Sequence, residues 1–287
     1  MDRRRYAFYP GCTLHSTGLE YGRSTAAVCR ALNLELVEID DWNCCGASSA
    51  HSLDRELADA LPARDILQAQ TIGCDVAVPC AACYGRLSSS YRRLEQNAAF
   101  RERMEALAGR RFEGHARPRS LLEIVLSDIP EEEIKASVRR RLTGLRPVAY
   151  YGCLLLRPPE IAGGWDDTEH PVRLNGLMDA LGAAAQPWTY ATDCCGASMT
   201  LNRSDLVIEL VGRLVEGAEE AGANCIVTAC PLCQANLDGR QGGRRERMPV
   251  FYFTELLGLA LGIEEIPKLF ARHIVDPRPI LSDLSLQ

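Results

Sequence analysis

The sequence predicts an α/β protein of two pseudo-repeated, cysteine-rich halves, each with a small, mainly parallel sheet. Three observations carry that expectation. Strand-like and helix-like stretches alternate along the chain, as parallel sheets require. The alternation occurs twice in the same order. Cysteines fall at matched places in each copy: Cys12, Cys44-Cys45, then Cys80 and Cys83; and Cys153, Cys194-Cys195, then Cys230 and Cys233. The second cysteine of each pair precedes the CxxC by 35 positions, Cys45 to Cys80 and Cys195 to Cys230.

The first half is expected to span 1–146, including a helical connector, and the second 147–287. Tyr6-Ala7-Phe8-Tyr9 reads as a strand, ended by Pro10-Gly11 before Cys12. A helix follows from about Leu19 to Leu32, then a strand over Leu34–Ile39 that feeds Cys44 and Cys45. A helix from about Leu53 to Thr71, kinked or divided at Pro62, leads to the short strand Asp75–Val78 and then Cys80. The second half repeats this plan. It has a strand at Val148–Tyr151, a helix near 172–181, a strand near Gln186–Tyr190, a helix near 206–221 and the strand Cys225–Thr228. Ligands of such sheets gather beyond the carboxyl ends of strands, where these cysteines stand. The connector, about 91–146, reads as charged, solvated helices carrying Glu131-Glu132-Glu133 and Arg139-Arg140-Arg141. The proline-bearing tail after Ile266 reads as an irregular arm lying on the surface or on a partner.

A chain of 287 residues with 47% hydrophobic and 24% charged residues can bury a substantial core, so its thirteen cysteines are not needed as staples. The start, Met1 to Tyr9, holds basic residues but no apolar segment long enough for a signal peptide. Reduced thiols in a cytoplasmic setting are therefore expected. The net charge of −6 argues against nucleic acid as a partner. The most apolar run, Val250–Leu261, falls short of the about 20 residues that a membrane helix needs, and it carries Glu255. Direct membrane insertion is not expected.

Each half offers five thiols in one pattern. Four would satisfy a zinc ion or a cubane cluster, so five exceed what either takes. Adjacent cysteines point to opposite sides of extended backbone and reach different metal atoms more easily than they chelate one. Soft thiolates suit zinc, copper(I) or iron–sulfur, and five favour a multinuclear centre. Gly46 and Gly196 allow a tight turn and close backbone approach beside it. There is no CxxCxxCxxxCP run and no GxGxxG between strand and helix, so ferredoxin-type clusters, flavin and nicotinamide are expected on other chains.

The doubled CCG pattern resembles the cysteine-rich (CCG) domain family. Its surroundings, Tyr9-Pro10-Gly11-Cys12, Tyr150-Tyr151-Gly152-Cys153, Asp193-Cys194-Cys195-Gly196-Ala197-Ser198 and Cys230-Pro231-Leu232-Cys233, are similar to the B-type subunit of heterodisulfide reductase over nearly the whole chain. The resemblance implies a noncubane [4Fe-4S] cluster in each half, held by Cys12, Cys44, Cys45, Cys80 and Cys83 and by Cys153, Cys194, Cys195, Cys230 and Cys233. It also implies reduction of a coenzyme M/coenzyme B type disulfide between the clusters, or the reverse reaction. The implied partners are a ferredoxin-like subunit of the C type and a flavin-carrying subunit of the A type. The gap from Cys153 to Cys194 is 41 positions against 32 from Cys12 to Cys44, a length variation that the family allows. The alternatives are a bacterial relative acting on another thiol, disulfide, sulfur carrier or quinone-linked pathway, an electron relay without substrate, and a zinc scaffold.

Other candidates have plainer readings. Cys29 is expected on a buried helix face, and Cys74 and Cys225 at core strand starts. His15 and His51 stand near cluster cysteines as loop residues that could donate protons or hydrogen bonds to sulfur. Arg157 could meet an anionic group but reads as a solvated loop residue. His115, His170 and His273 carry no argument, and Trp42, Trp165 and Trp188 read as packing.

Overall fold

The computed structural model describes residues 4–47, 50–242 and 247–286. Ser48 of the first CCGAS run and the His51 side chain lie outside the described residues. The first half runs β1 (Arg4–Phe8), α1 (Gly11–Leu14), α2 (Leu19–Ala31), β2 (Leu34–Glu38), α3 (Ala50–Leu53), α4 (Arg55–Ala69), β3 (Val76–Val78) and α5 (Ala81–Gln96). The connector adds α6 (Ala98–Ala108), β4 (Pro118–Ser120), α7 (Leu121–Asp128) and α8 (Glu131–Ser137). The second half runs β5 (Pro147–Tyr150), α9 (Pro159–Ala162), α10 (Arg173–Ala180), α11 (Ser204–Glu220), β6 (Cys225–Thr228), α12 (Pro231–Gly239), β7 (Val250–Tyr252) and α13 (Phe253–Ala260). Two short helices, α14 (Ile266–Leu269) and α15 (Arg278–Asp283), follow.

Both sheets are parallel, as the alternation of strands and helices predicts, with orders β2-β1-β3-β4 and β5-β6-β7. Tyr6 pairs with Leu36, Ala7 with Val76 and Val148 with Ile226. The central strands β3 and β6 are covered on both faces and read as uninterrupted apolar or small residues, and they and the edge strand β5 are wholly buried.

Four expectations need correcting. Residues 186–190 run beside β5 without forming a ladder strand. Pro187 has no N–H to donate, and the Trp188 indole Nε1 supplies a donor instead, 2.8 Å from the Ala149 carbonyl. The connector is not all helix: β4 completes the first sheet, and Arg139-Arg140-Arg141 lie in irregular backbone. There they act as clasps. The amides of Arg139 and Arg140 both donate to the Ala260 carbonyl, and the Arg140 side chain donates to that of Leu286. The tail is no loose arm, because Ile266, Phe270, Leu281 and Leu286 are buried in the main core and Arg272 pairs with Glu20 of α2. Lastly, the helical break falls at Asp54, whose carboxylate caps α4 through the Leu57 amide at 2.8 Å, while α4 continues through Pro62. Pro62 leaves the Ala58 carbonyl without its intrahelical donor, and the Arg86 guanidinium of α5 bonds to it.

The halves embrace through equivalent contacts. α2 packs on α13 and α10 on α7; α1 meets α12 and α9 meets α5. At this seam Ser24 and Thr254 share a hydrogen bond of 2.7 Å, and Tyr21 stacks on Tyr252 with centroids 4.2 Å apart.

Beside the seam lies a buried ion pair that the sequence did not announce. His273 Nε2 sits 2.9 Å from Glu255, both side chains fully buried, and Glu255 also accepts the Tyr252 amide. Burial alone would lower the His273 pKa, but the Glu255 carboxylate holds it up to about 9. Charged His273 therefore adds stability that is complete below the ordinary imidazole range and is lost as pH rises through about 9. The expected size is on the order of 3 kcal/mol. Denaturant melts across pH 6–10 should show this loss, and His273→Gln should flatten it.

Candidate functional site

All three cysteine groups of each half stand where a strand or extended segment ends. β1 and β5 deliver Cys12 and Cys153; β2 and the segment after Trp188 deliver the Cys-Cys pairs; β3 and β6 deliver the CxxC pairs, with Cys80 and Cys230 as the N-caps of α5 and α12. Each pentad thus gathers at the carboxyl edge of its own sheet. In the first half, Cys45 Sγ lies 3.3 Å from Cys83 Sγ. In the second, Cys153 Sγ lies 3.7 Å from Cys194 Sγ, and the Gly196 amide donates to Cys194 Sγ at 3.3 Å. No thiol is in a disulfide. Cys45, Cys80, Cys83, Cys195, Cys230 and Cys233 are buried, while Cys12, Cys44 and Cys194 face solvent. Among the described residues no three His, Cys, Asp or Glu side chains close on one point tightly enough to grip a single ion.

The pentads also meet each other. Cys80 and Cys230 are electrostatic neighbours across the seam, and the residues just before them converge on one Tyr21 hydroxyl, so the two CxxC turns are back to back. Tyr21, fully buried in α2, fastens them: its hydroxyl lies 3.1 Å from the Ala229 carbonyl and 3.4 Å from that of Pro79, the residues just before Cys230 and Cys80. Tyr21→Phe should cost about 1–2 kcal/mol, the usual result of leaving buried acceptors unpaired. Thermal melts of the purified chain would measure it.

Support for the loops is duplicated. Tyr9 and Tyr150 donate to the carbonyls of Asn43 (2.7 Å) and Asp193 (2.6 Å), each just before its cysteine pair. Gly11 and Gly152 have φ of +67° and +69°, and a Cβ there would stand 3.2 Å from Cys83 Sγ and 3.1 Å from Cys233 Sγ. These four residues were not singled out as functional from the sequence. The signal was present, since Tyr-x-Gly-Cys occurs before both first cysteines. Gly46 and Gly196, which the sequence did single out, have φ of +74° and +77°.

Sulfur–sulfur contacts and burial raise the pKa of Cys44, Cys80, Cys83, Cys153 and Cys233 and, through the same contacts, lower Cys45 in the first half and Cys194, Cys195 and Cys230 in the second. Contacts with Cys44 and Cys83 lower Cys45, and contact with Cys233 lowers Cys195. The thiolate form is favoured at the second cysteine of both pairs, and in the second half at Cys194 and Cys230 as well.

The halves differ in what braces the pair. Under the first, buried Asp65 accepts the Asn43 amide at 2.8 Å and its side-chain amide at 3.2 Å, and burial pushes its pKa up to about 8. Under the second, Asn236 donates to the Cys195 carbonyl at 3.0 Å and approaches its Sγ at 4.0 Å. His15 stacks on Trp42, with Glu38 bonding the Trp42 indole at 3.0 Å, so both line the rim near Cys12 and Cys44. Arg157 is tied down, bonding Thr168, Glu169 and Thr192. Cys29 is buried in α2 and Cys225 starts β6, while Cys74 is partly exposed just before β3. The shallow hollow of about 310 Å³ by Glu102, Glu105 and Arg110 contains no cysteine. No helix among the described residues is long and apolar enough to cross a membrane.

Comparison with known proteins agrees with this duplicated plan. The cysteine-rich domain (CCG) family matches residues 6–88 and 148–238. The 8-methylmenaquinol:fumarate reductase membrane anchor subunit of Wolinella succinogenes is 30% identical over 91% of this chain and 93% of its own. The B-type subunit of the ferredoxin/F(420)H(2)-dependent CoB-CoM heterodisulfide reductase of Methanosarcina acetivorans is 26% identical over 90% of this chain and 89% of its own. A crystal structure of a hypothetical protein from Helicobacter pylori shares the fold, with a TM-score of 0.73 and 9% identity over 96% of this chain and 52% of that one. The chain accordingly belongs to the cysteine-rich (CCG) domain family, among the relatives of the heterodisulfide reductase B-type subunits.

Proposed function

We propose that this protein is the iron–sulfur subunit of a reductase complex, with a noncubane [4Fe-4S] cluster in each half, and that it reduces a small disulfide to two thiols or runs the reverse. The observation that carries this reading is the back-to-back meeting of two five-thiol sets through Cys80 and Cys230. The residues fit such a group. Ten thiols supply the soft donors, the proposed ligands being Cys12, Cys44, Cys45, Cys80 and Cys83 in one half and Cys153, Cys194, Cys195, Cys230 and Cys233 in the other. Gly11 and Gly152 leave open the space that a Cβ would take beside Cys83 and Cys233.

When bound, each cluster supplies one-electron chemistry, and two together match the two electrons that a disulfide needs. The chain does the rest. Tyr21 and the Tyr21–Tyr252 stack hold the two CxxC turns at one separation, and buried Cys80, Cys83, Cys230 and Cys233 keep water from the seam. Solvent-facing Cys12, Cys44 and Cys194 mark the side from which a small reactant approaches. Electrons would come from a ferredoxin-like subunit of the C type and a flavin-carrying subunit of the A type. Anaerobic purification with iron and sulfide quantification, then EPR with and without a candidate disulfide, tests the proposal. A new paramagnetic state on adding disulfide is expected; bound zinc, or thiols without iron, would end it.

A second reading is a quinol-linked reductase subunit, favoured by the 30% identity to the menaquinol:fumarate reductase subunit. Adding a menaquinol analogue in the same EPR experiment separates the two.

A further inference from the structure

Aligning the halves by their cysteines pairs two sets of unlike residues. Asn43 and Asp193 each stand immediately before a Cys-Cys pair, and Arg86 and Asn236 each stand three positions after the last cysteine. Both exchanges change charge in the same sense. Asn236 reaches Cys195 at 4.0 Å, and Arg86 holds the equivalent place on α5, three positions beyond Cys83. Arg86 is no wandering surface group. Its guanidinium is anchored on the Ala58 carbonyl that Pro62 leaves free, and its Nε is buried with no partner among the described residues. On the other side, Asp193 carries an exposed carboxylate next to Cys194, on backbone held by the Tyr150 bond to the Asp193 carbonyl.

We propose that this asymmetry sets the direction of electron flow: an electron given to the pair of sites settles at the first half, beside Arg86, rather than at the second, beside Asp193. The proposal rests on the two-cluster reading above. Reduction adds one negative charge to a site, so a fixed cation stabilises the reduced form and a fixed anion opposes it. The exchange is one electron lost by the second site and one gained by the first, with no bond made or broken. Other charged groups nearby do not undo the difference. Arg64 with Asp41 flanks the first pair and Arg157 with Glu169 the second, each an ion pair open to solvent and screened. Asp65, beneath the first pair, is tied to the Asn43 amide and side chain, and its burial disfavours the charged form. Arg86 and Asp193 are thus positioning residues for charge. They need not touch the reactant.

The test is an EPR-monitored potentiometric titration of the full chain, prepared anaerobically, as wild type, Arg86→Gln and Asp193→Asn. Cys195→Ala identifies which signal belongs to the first half. In the wild type the first-half signal should appear at the higher potential. In Arg86→Gln the reduced-to-oxidised ratio of that signal at a fixed potential should fall about tenfold, which is ~59 mV for one electron, with the second signal unmoved. Asp193→Asn should raise the second signal by a smaller factor, because Asp193 is exposed. Should Arg86→Gln fail to fold by circular dichroism, the exposed Asp193→Asn decides the matter alone. Signals titrating in the opposite order, or an Asp193→Asn signal that does not move, overturn the assignment of polarity. A wild type without iron overturns the cluster reading instead.

Discussion

Cys195→Ala should remove about half the iron from the anaerobically prepared protein, since each pentad is proposed to hold its own cluster. Cys195 is 2% exposed, and contact with Cys233 lowers its thiol pKa, so it stands at the buried side of the second pentad. Alanine offers no ligand, and Cys194 already holds its own place beside Cys153 at 3.7 Å. The first half, with Cys45 serving the same role, should keep its signal, because Cys80 and Cys230 are the cysteines through which the halves touch. The mirror variant Cys45→Ala should empty the first half and spare the second. Iron and sulfide assays with EPR read both results. Loss of both signals from Cys195→Ala would show that the two sites form one cooperative unit.

The second large effect is expected at the glycines before the first cysteines. Gly11→Ala must place a side chain at a φ of +67°, which costs about 1–2 kcal/mol by itself. Its Cβ would also stand 3.2 Å from Cys83 Sγ, where a metal centre would have to be built. Cys83 is buried and cannot yield freely. Loading of the first half should therefore fall much more than overall stability does, and Gly152→Ala should do the same to the second half. Gly85→Ala, in open space on α5, is the control that should leave both iron content and melting temperature nearly unchanged. If Gly11→Ala and Gly85→Ala load iron equally, the space beside Cys83 has no part in binding.

Much of the architecture was legible because it follows from local chemistry. Alternating strands and helices, repeated twice around matched cysteines, required two parallel sheets with the cysteines at one edge, and the β1, β2, β3, β5 and β6 positions agree with that reading. Pairing at the sheet edges was not legible. β4 and β7 have three residues each, too short to show a period, and they are strands only because β3 and β6 present free edges to them. The strand expected at 186–190 failed because Pro187 cannot donate, and the Trp188 indole that compensates can be seen only in three dimensions.

The sequence by itself determined that ten of the thiols fall into two sets of five at matched places, because residue type and spacing are properties of the chain. Only the tertiary structure decided that the two sets meet at Cys80 and Cys230, that Tyr21 fastens them, and that Pro62, more than twenty positions away, frees the Ala58 carbonyl that anchors Arg86. The physical reason is that a hydrogen bond or a Coulomb interaction depends on distance in space, and packing two halves face to face creates distances that no spacing along the chain records.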